Sequence, residues 1–486
     1  MPLVLGIDEG TTGVRALIFD ESSAVVGGAY EELTPSYPQP GWVELDPLAI
    51  WHATDSVCAA ALEGAGVSPG DIAAIGITGQ RATTIVWERA SGRPVYPAIV
   101  WQDVRTAVRV PELLAEGIFT NTMASAAKLE WILRTIDNGF RRAAAGELCF
   151  GTVDTWLLWQ LTGGAVHATD FSNASCTSLY DAMQGSWDAR ALSVLAIPDR
   201  MLPALCLSSA IYGHTAREVF GAAVPVGGMA GDQQAAMAGE ACFDQGDIKI
   251  TFGTSAMLDM NTGELPVLSM RGAYPLILWG LRERITYCLE GTAITAGAAV
   301  QWLRDGLGIL ERLDDSSRLA TQVPDTSGVW AIPAFQGLGT PHMDAAARAV
   351  IGGLSRGSTR AHVVRAVLEG IAYRSREVLD TVLEDAGCAR PLRLRVDGGA
   401  AANEFLLQQL ANVIGIAVER PESVQASALG AAYLAGLATG VWRDSNQLKQ
   451  AWRSGGIFEP RWSEDERESR FRAWQQKLAC AHTVIA

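Results

Sequence analysis

The chain has 486 residues, of which 49% are hydrophobic and 19% are charged, and its formal net charge at pH 7 is -15. This length exceeds the size at which one hydrophobic core keeps growing, so it predicts two domains. The acidic balance disfavours a nucleic-acid backbone or an anionic membrane as a partner, because both would repel it. A local basic site for a small anion is compatible with this charge, and so is a nucleotide bridged by a metal ion.

The cysteines and the N-terminal residues give information about the cellular compartment of the protein. The eight cysteines are scattered singly and none forms a CxxC pair, which predicts reduced thiols rather than a zinc site or a disulfide framework. The first residues, MPLVLGIDEG, carry no basic segment and reach Asp8 too early for a signal peptide. We find no apolar run long enough to cross a bilayer. We therefore expect a soluble cytoplasmic protein that binds neither nucleic acid nor a membrane.

In chain order, the first predicted element is a β-hairpin. The strand-like runs LVLGID and VRALIFD are separated by EGTTG, a tip rich in Gly and Thr. The apolar runs DIAAIGIT and PAIVW follow, and helical patterns then cover AAKLEWILRTI and TVDTWLLWQLTG. This alternation favours a layered α/β architecture.

The second half of the chain begins with a similar pattern. DIKITFGTSAMLDM predicts a strand, a turn of small residues and another strand, and LRLRVDGG predicts a later strand. ANEFLLQQLANVIG has helical spacing, and Gly415 suits its C-cap. The segment from Ser463 to Glu466 predicts the capped start of a C-terminal helix that includes Phe471, Trp474 and Leu478. We place the domains at residues 1–246 and 247–486.

Three turns rich in glycine follow strand-like runs, at residues 8–12, 253–255 and 397–400. Glycine lets backbone N–H groups approach a phosphate closely, and Thr or Ser adds hydroxyl donors. Asp8, at a strand end beside the first turn, could hold Mg²⁺ through water. A single such turn is also explained as a tight hairpin. Neither a GxxxxGK[ST] nor a GxGxxG motif is present at these turns.

The motifs taken in order resemble the FGGY family of carbohydrate kinases, and within that family the glycerol kinases. The segments that carry the resemblance are GIDEGTTGVRALIFD, YPQPGWVELDP, AIGITGQRATTIVW, AIVWQDVRT, KLEWIL, GTVDTWLLWQLTGG, AGDQQAAMAGE, TFGTSAML, EGTAITAGAAVQWLRD, IPAFQGLGTP, RVDGGAAANEFLLQ and ALGAAYLAGL. A family signature is matched by AVIGGLSRGSTRAHVVRAVLE, at residues 349–369. The resemblance runs almost from end to end of the chain.

The resemblance implies a fold and a set of nucleotide-binding residues. The fold would be a pair of actin-like (ribonuclease H-like) α/β ATPase domains, with Mg-ATP and the acceptor in the cleft between them. The implied ATP-binding residues are Thr11, Thr12 and Arg15 in the first phosphate segment, Gly253 and Thr254 in the second, Gly297 and Gln301 near the ribose, and Gly399, Ala400 and Asn403 at the adenosine. Arg15 can also be interpreted as a surface or intra-sheet charge. Homo-oligomers are common in families of this kind.

A kinase that acts on an alcohol needs a group that accepts the hydroxyl proton as the phosphoryl group moves. Asp232, in GMAGDQQAAM, is our candidate, because the resemblance places the catalytic aspartate in this motif. It follows a glycine at a predicted helix start, where a negative side chain faces a favourable dipole. A plain helix N-cap is the other interpretation of this residue. Gln233 would help to hold the acceptor.

The acceptor residues depart from the glycerol-kinase pattern at three positions. Arg81 is retained, but Ala82 stands where a glutamate normally follows, and Met123 stands at the position of a substrate-contacting tyrosine. Met257 replaces an aromatic at the pocket wall, whereas Trp101 is retained and would offer an apolar face. The changes remove hydrogen-bonding groups that glycerol would use, and apolar replacements discriminate weakly between substrates.

We therefore hypothesise an ATP-dependent kinase whose acceptor is a polyol or ketose longer than glycerol, such as a tetritol or a pentulose. A true glycerol kinase is the enzymatic alternative. An actin-like ATPase and a sugar sensor that does not catalyse are alternatives of another class, because a fold does not fix a function.

Overall fold

The structure is a computed structural model that describes residues 1–423 and 425–482. It divides into two compact units. The first comprises Met1–Ala241, Leu276–Thr286 and Ala426–Trp452, and the second comprises Cys242–Pro275, Tyr287–Gln425 and Arg453–Ala486. No helix in the described part of the chain is long and apolar enough to span a membrane.

The strands are β1 Leu3–Gly10, β2 Gly13–Phe19, β3 Val25–Glu32, β4 Glu44–Leu45, β5 Ile72–Gly79, β6 Ile85–Glu88, β7 Ala98–Ile99, β8 Leu148–Gly151, β9 Ala168–Asp170, β10 Tyr180–Asp181, β11 Ser186–Trp187, β12 Ala204–Cys206, β13 Ser209–His214, β14 Pro225–Gly231, β15 Ile248–Phe252, β16 Ala256–Gly263, β17 Tyr274–Leu281, β18 Arg284–Ala293, β19 Trp330–Ile332, β20 Val350–Gly352, β21 Arg393–Asp397, β22 Ala417–Pro421 and β23 Ser454–Phe458.

The helices are α1 Pro47–Ala65, α2 Arg109–Ala115, α3 Ser125–Thr135, α4 Gly139–Ala144, α5 Val153–Leu161, α6 Phe171–Ser175, α7 Ala189–Leu195, α8 Arg217–Phe220, α9 Asp232–Gly239, α10 Gly297–Asp305, α11 Asp315–Ala320, α12 Arg360–Ala386, α13 Glu404–Ile414, α14 Ala426–Thr439, α15 Ser445–Ala451, α16 Glu464–Gln475 and α17 Ala479–His482. Short 3-10 turns cover Pro69–Asp71, Asp199–Met201 and Gly399–Ala402.

The main sheet of the first unit has the strand order β13-β14-β5-β1-β2-β3. Strand β5 pairs in parallel with β1 on one side and with β14 on the other. In this register Gly79 lies beside Glu9 and beside Gly231. The carboxyl ends of the three strands therefore meet at one edge of the sheet, which is where side chains for chemistry collect in open parallel sheets.

A row of glycines crosses this sheet, and helix α14 packs against it. Gly6, Gly76 and Gly228 are direct neighbours on β1, β5 and β14. A Cβ atom at Gly76 would lie 2.0 Å from the carbonyl oxygen of Ala431 in α14, and one at Gly6 would lie 2.3 Å from that of Ala428. Only glycine allows backbone to approach backbone this closely. The small residues of α14 thus lie directly on the strands.

The second large sheet has the order β17-β18-β16-β15-β21-β22-β23. Strands β15 and β16 form an antiparallel hairpin, and β15 pairs in parallel with β21. Helices α12 and α13 belong to the same hydrophobic core as the apolar face of these strands, which includes Ile248, Ile250 and Phe252. The turn after β15 and the turn after β21 therefore lie side by side.

The elements predicted from sequence pattern are present, but the C-terminal helix is shorter than predicted, since α16 ends at Gln475 and Leu478 lies in the turn after it. The first hairpin forms β1 and β2, and DIKITFGTSAMLDM forms β15 and β16. Gly415 is the C-cap of α13 with φ 67°, and the Ser463 hydroxyl accepts from the N–H of Glu466 at the start of α16. None of the eight cysteines, all of which lie in the described residues, forms a disulfide.

The division at residue 246 stays a prediction about domains. The compact units differ from it at three segments: Leu276–Thr286 and Ala426–Trp452 group with the first unit, and residues 242–246 group with the second. A single cut assigns residues 426–452 to the second half, but the structure groups them with the first unit. The reason for the position of α14 is the glycine row, because this helix packs on strands of the first sheet that lie far before it in the chain.

We predict that Gly76→Ala destabilises the first unit. The added methyl group would collide with the α14 backbone, and overpacking of this kind costs about 2 kcal/mol or more. Gly64→Ala is the matched control, since a Cβ atom there meets nothing within 4 Å and a helical alanine is favoured. Thermal unfolding of the two variants checks the prediction. Equal midpoints would contradict it.

Candidate active site

The edge of the first sheet brings Arg81 and Asp232 together. Arg81 lies two residues beyond the end of β5, and Asp232 is the first residue of α9, directly after β14. Arg81 Nε lies 3.3 Å from Asp232 Oδ1, and the same oxygen accepts from the N–H of Gln233 at 2.7 Å. Oδ2 receives neither contact, and 31% of the Asp232 side chain is exposed. A small alcohol can therefore reach this carboxylate.

Gly231 is fixed between these two residues. A Cβ atom here would lie 2.6 Å from the Cδ atom of Arg81. Its N–H donates to the hydroxyl of Ser172 at 3.0 Å. Asp170 caps helix α6 by accepting from the N–H groups of Ser172 and Asn173, and it also accepts from the Ser208 hydroxyl at 2.6 Å. This buried network holds the peptide that precedes Asp232.

The phosphate segment predicted at residues 11–15 is the tip of the β1–β2 hairpin and the strand after it. Thr11 and Thr12 lie in the turn, and Gly10 pairs with Gly13 across it. Arg15 is paired with Asp8 on β1 and with Tyr30 on β3, and its guanidinium lies 5.1 Å from the Tyr30 ring centroid. Arg15 is thus an intra-sheet charge beside Asp8, and its role toward phosphate stays a prediction.

A chain of hydrogen bonds connects the hairpin to Trp101. Gln80 Nε2 donates to Glu9 Oε1 at 2.9 Å, and the Thr83 hydroxyl donates to Gln80 Oε1 at 3.1 Å. The N–H of Trp101 donates to the Thr83 hydroxyl at 3.3 Å, and its indole N–H donates to the Thr11 hydroxyl at 3.1 Å. The predicted acceptor wall and the predicted phosphate segment are therefore held together.

Glu9 is a buried carboxyl group in this chain of contacts. Its Oε2 atom has no hydrogen-bond partner in the described residues. Burial raises the pKa of Glu9 to about 8, the hydrogen bond from Gln80 opposes this shift, and the charges of Asp8 and Asp232 add to it. The raised pKa favours the neutral form of Glu9, and Asp8, which is half-buried, is the neighbouring carboxyl group at this strand end.

Ala82 has an unusual backbone conformation. Its φ is 61°, in the left-handed region that non-glycine residues rarely adopt, and only 4% of its surface is exposed. The alanine side chain supplies no carboxylate beside Arg81. Met123, at the position where the resemblance implies a substrate-contacting tyrosine, lies just before α3, and 39% of its surface is exposed.

The second unit brings most of the predicted nucleotide residues together. The turn Gly253–Ser255 joins β15 to β16, and helix α10 begins against it. The N–H of Gly297 donates to the carbonyl of Gly253 at 3.0 Å, and that of Ala298 donates to the carbonyl of Thr254 at 3.2 Å. A Cβ atom at Gly297 would lie 2.4 Å from that Gly253 oxygen. The two segments can approach only because residue 297 is glycine.

The turn after β21 lies next to this pair. Gly398 has φ 84°, and a Cβ atom on it would lie 2.6 Å from the carbonyl oxygen of Phe252. Gly399 and Ala400 open the following 3-10 turn, and Gly399 has open space on its Cβ side. Asn403 has a structural role, because it is the N-cap of α13 and its Oδ1 accepts from the N–H of Leu406 at 2.9 Å.

Two predicted residues lie at the margins of these clusters. Gln301 is exposed, one turn into α10. Met257 lies on β16 in the second unit, with its sulfur 3.4 Å from the Thr292 hydroxyl, whereas the other predicted acceptor residues lie in the first unit. The acceptor role of Met257 stays a prediction.

Several residues of the site were not predicted from the sequence. Glu9 and Gln80 are adjacent to predicted residues, but they contact each other only across paired strands. Asn173 donates to Asp170 through its side-chain amide, and Ser172 is the contact to Gly231. The pattern Asp-Phe-Ser-Asn is typical of a capped helix start and could have indicated this role.

We predict that Glu9→Gln reduces the loss of stability at high pH. Because the folded-state pKa is raised, the folded protein keeps a proton that the unfolded chain has released, so stability falls as pH rises from about 4.5 to about 8. Glutamine does not titrate. Thermal unfolding at about pH 6.5 and about pH 9 checks this, above the range in which burial raises the pKa of Asp154 to about 6. Identical pH dependence in both proteins would contradict the prediction.

Two family models match the chain. The N-terminal domain of the FGGY family of carbohydrate kinases matches residues 3–239, and the C-terminal domain of the same family matches residues 248–439. The resemblance predicted from the motifs is confirmed. The glycine-rich turns and the AGDQQ segment lie inside these matched ranges.

Known proteins of this family are similar along the whole chain. Glycerol kinase 2 of Thermotoga maritima is 47% identical, covering 99% of this chain and 98% of its own. The crystal structure of Plasmodium falciparum glycerol kinase with ADP has a TM-score of 0.92 at 32% identity, covering 100% and 99%. The xylulose kinase of Rhodospirillum rubrum has a TM-score of 0.85 at 25% identity, covering 99% of both chains. The chain therefore belongs to the FGGY family of carbohydrate kinases, with their two-domain α/β fold related to actin-like ATPases, and is an ATP-dependent phosphotransferase that acts on an alcohol group.

Proposed function

We propose that the protein transfers the γ-phosphoryl group of ATP to a hydroxyl of a polyol or ketose longer than glycerol. The observation that supports this acceptor is Ala82, a buried methyl group beside Arg81 at the position where the family resemblance implies a glutamate in glycerol kinases. Glycerol itself is the second candidate. The names of the full-length relatives favour glycerol at least as strongly as the side chains favour a longer acceptor.

Asp232 is the proposed general base. Its carboxylate is held at Oδ1 by Arg81 and by the N–H of Gln233, so Oδ2 can accept the proton of an acceptor hydroxyl. The start of α9 supports a negative charge at this position through the helix dipole. Phosphoryl transfer depends mainly on alignment and on charge stabilisation, and a carboxylate that orients the nucleophile supplies the first of these.

The hairpin tip at Thr11 and Thr12 offers hydroxyl and backbone donors to the phosphates, and Asp8 is the proposed carboxylate for Mg²⁺ through water. The described residues contain no cluster of three or more His, Cys, Asp or Glu side chains that could hold a metal. A lone carboxylate fits Mg²⁺, which keeps its waters and its phosphate ligands. The ion would neutralise charge on the phosphate oxygens.

The nucleotide side of the proposal rests on the second unit. Gly253 and Thr254 would meet the phosphates, Gly297 and Gln301 the ribose, and the Gly399–Asn403 segment the adenine. The open space on the Cβ side of Gly399 supports this assignment, because a ligand can approach the backbone there, and Gly297 supports it indirectly by letting α10 approach the Gly253 turn.

Asp232→Asn should lower kcat by about a hundredfold to ten-thousandfold and leave the KM for ATP nearly unchanged. The amide keeps the shape of the side chain but cannot accept the proton, and general-base catalysis contributes about this factor. Coupled assays of ADP release with and without acceptor measure both constants. Asp137→Asn, at an exposed site, is the control. A kcat within a few-fold of wild type would refute the role of Asp232.

A panel of glycerol, tetritols, pentitols and ketopentoses tests the acceptor in the wild type and in Ala82→Glu. We expect the wild type to prefer a longer acceptor. We expect Ala82→Glu to raise kcat/KM for glycerol relative to a tetritol by about tenfold, because one hydrogen bond to a charged group is worth roughly this factor. Assays of phosphorylated product check both expectations.

Ala59→Glu, on the exposed face of α1, is the control for the added charge. A wild type that prefers glycerol over every other compound would refute the longer acceptor and support a glycerol kinase. ATP hydrolysis that no acceptor changes would support an ATPase, and binding of a sugar without any product would support a sensor.

A further inference from the structure

Helix α3 contacts the backbone of three residues that the proposal places at the acceptor. The Ser125 hydroxyl donates to the carbonyl oxygen of Ala82 at 3.1 Å. Lys128 Nζ donates to the carbonyl oxygens of Trp101 at 3.0 Å and of Met123 at 2.8 Å. Ala82, Trp101 and Met123 lie on three separate segments, so the first turns of one helix connect them all.

Lys128 is unusual because it is fully buried. Its exposed fraction is 0%, and it makes no ion pair with any residue that the structure describes. Burial lowers the pKa of Lys128 to about 7, while Asp103 acts in the opposite direction and Arg105 adds to the lowering. Removing an ammonium group from water is costly, and here hydrogen bonds to two carbonyl oxygens and the charge of Asp103 offset part of that cost.

The composition of the chain makes this lysine informative. Only four of the 38 basic residues are lysine, at positions 128, 249, 449 and 477. A lysine ammonium is a compact donor on a flexible stem, whereas the guanidinium group of arginine is a wide planar fork. The carbonyl oxygens of Trp101 and Met123 converge on one buried point, which suits a lysine ammonium better than an arginine guanidinium.

We propose that Lys128, together with Ser125, is a positioning residue for the acceptor: it sets the distance between the Trp101 and Met123 segments and thereby the acceptors that fit. This inference rests on the proposed function, in which these segments line the acceptor site. Misplacement of substrate-orienting groups by small distances has large kinetic effects. Lys128 acts through the backbone of the wall residues, so its loss should alter selection among acceptors rather than the binding of ATP.

The test compares Lys128→Met, Ser125→Ala and the control Lys477→Met in the full-length protein, with glycerol and a tetritol as acceptors. Methionine fills a similar space but leaves two carbonyl oxygens without a donor, a loss worth about tenfold. We expect Lys128→Met to raise the acceptor KM about tenfold and to change the ratio of kcat/KM for the two acceptors about threefold or more. The KM for ATP should stay within about twofold of wild type, and Lys477→Met should change none of these values.

An unchanged acceptor KM in folded Lys128→Met would overturn the inference, and so would equal changes for both acceptors, because a purely structural role lowers all activities together. If Lys128→Met does not fold, Ser125→Ala must still change the acceptor ratio, and no change overturns the inference. A wild type that phosphorylates no polyol or ketose refutes the proposed function and this inference with it. If the wild type is active and Lys128→Met leaves the acceptor KM and the kcat/KM ratio unchanged, the inference is refuted and the proposed function is not.

Discussion

Contact of backbone with backbone between α14 and the glycine row of the first sheet is the constraint on which the rest of this unit depends. Gly6, Gly76 and Gly228 lie side by side, and each would collide with α14 if it carried a Cβ atom. This close approach leaves little freedom in strand register, since a slip of one residue would put a side chain in place of a glycine. The register in turn places the ends of β1, β5 and β14 at one edge.

The chemistry at this edge depends on polar groups that the fold holds at fixed positions. Arg81 contacts the Asp232 carboxylate, and the hydrogen bond from Gly231 to Ser172 holds the backbone that precedes it. Preorganised donors and carboxylates stabilise a transition state without having to move when charge develops. This order has a free-energy cost, because Asp170 and Lys128 are ionisable groups removed from water. The buried hydrogen bonds around them offset part of that cost.

In the proposed function, acceptor selection depends on the absence of a carboxylate beside Arg81. A site that reads a hydroxyl through hydrogen bonds rejects analogues strongly, whereas an apolar wall rejects them weakly. The buried methyl group of Ala82 and the side chain of Met123 offer contact area but no strong acceptor. The backbone of both residues is nevertheless held by α3, so the shape of the wall is well defined even though its polarity is low. In the proposed function, the shape of this wall therefore contributes more to acceptor selection than its hydrogen bonding does.

The sequence by itself determined the family, the hairpins, the α/β class and the candidate residues, because alternating hydrophobicity, turn glycines and motif order are local properties of the chain. Asp232 at the start of a helix and Gly415 at the end of another are of this kind. Only the tertiary structure decided that residues 426–439 pack in the first unit, that Lys128 binds two carbonyl oxygens, and that Glu9 is buried against Gln80. These contacts join segments that are far apart or on different strands, and no local pattern encodes which distant backbone a side chain will meet.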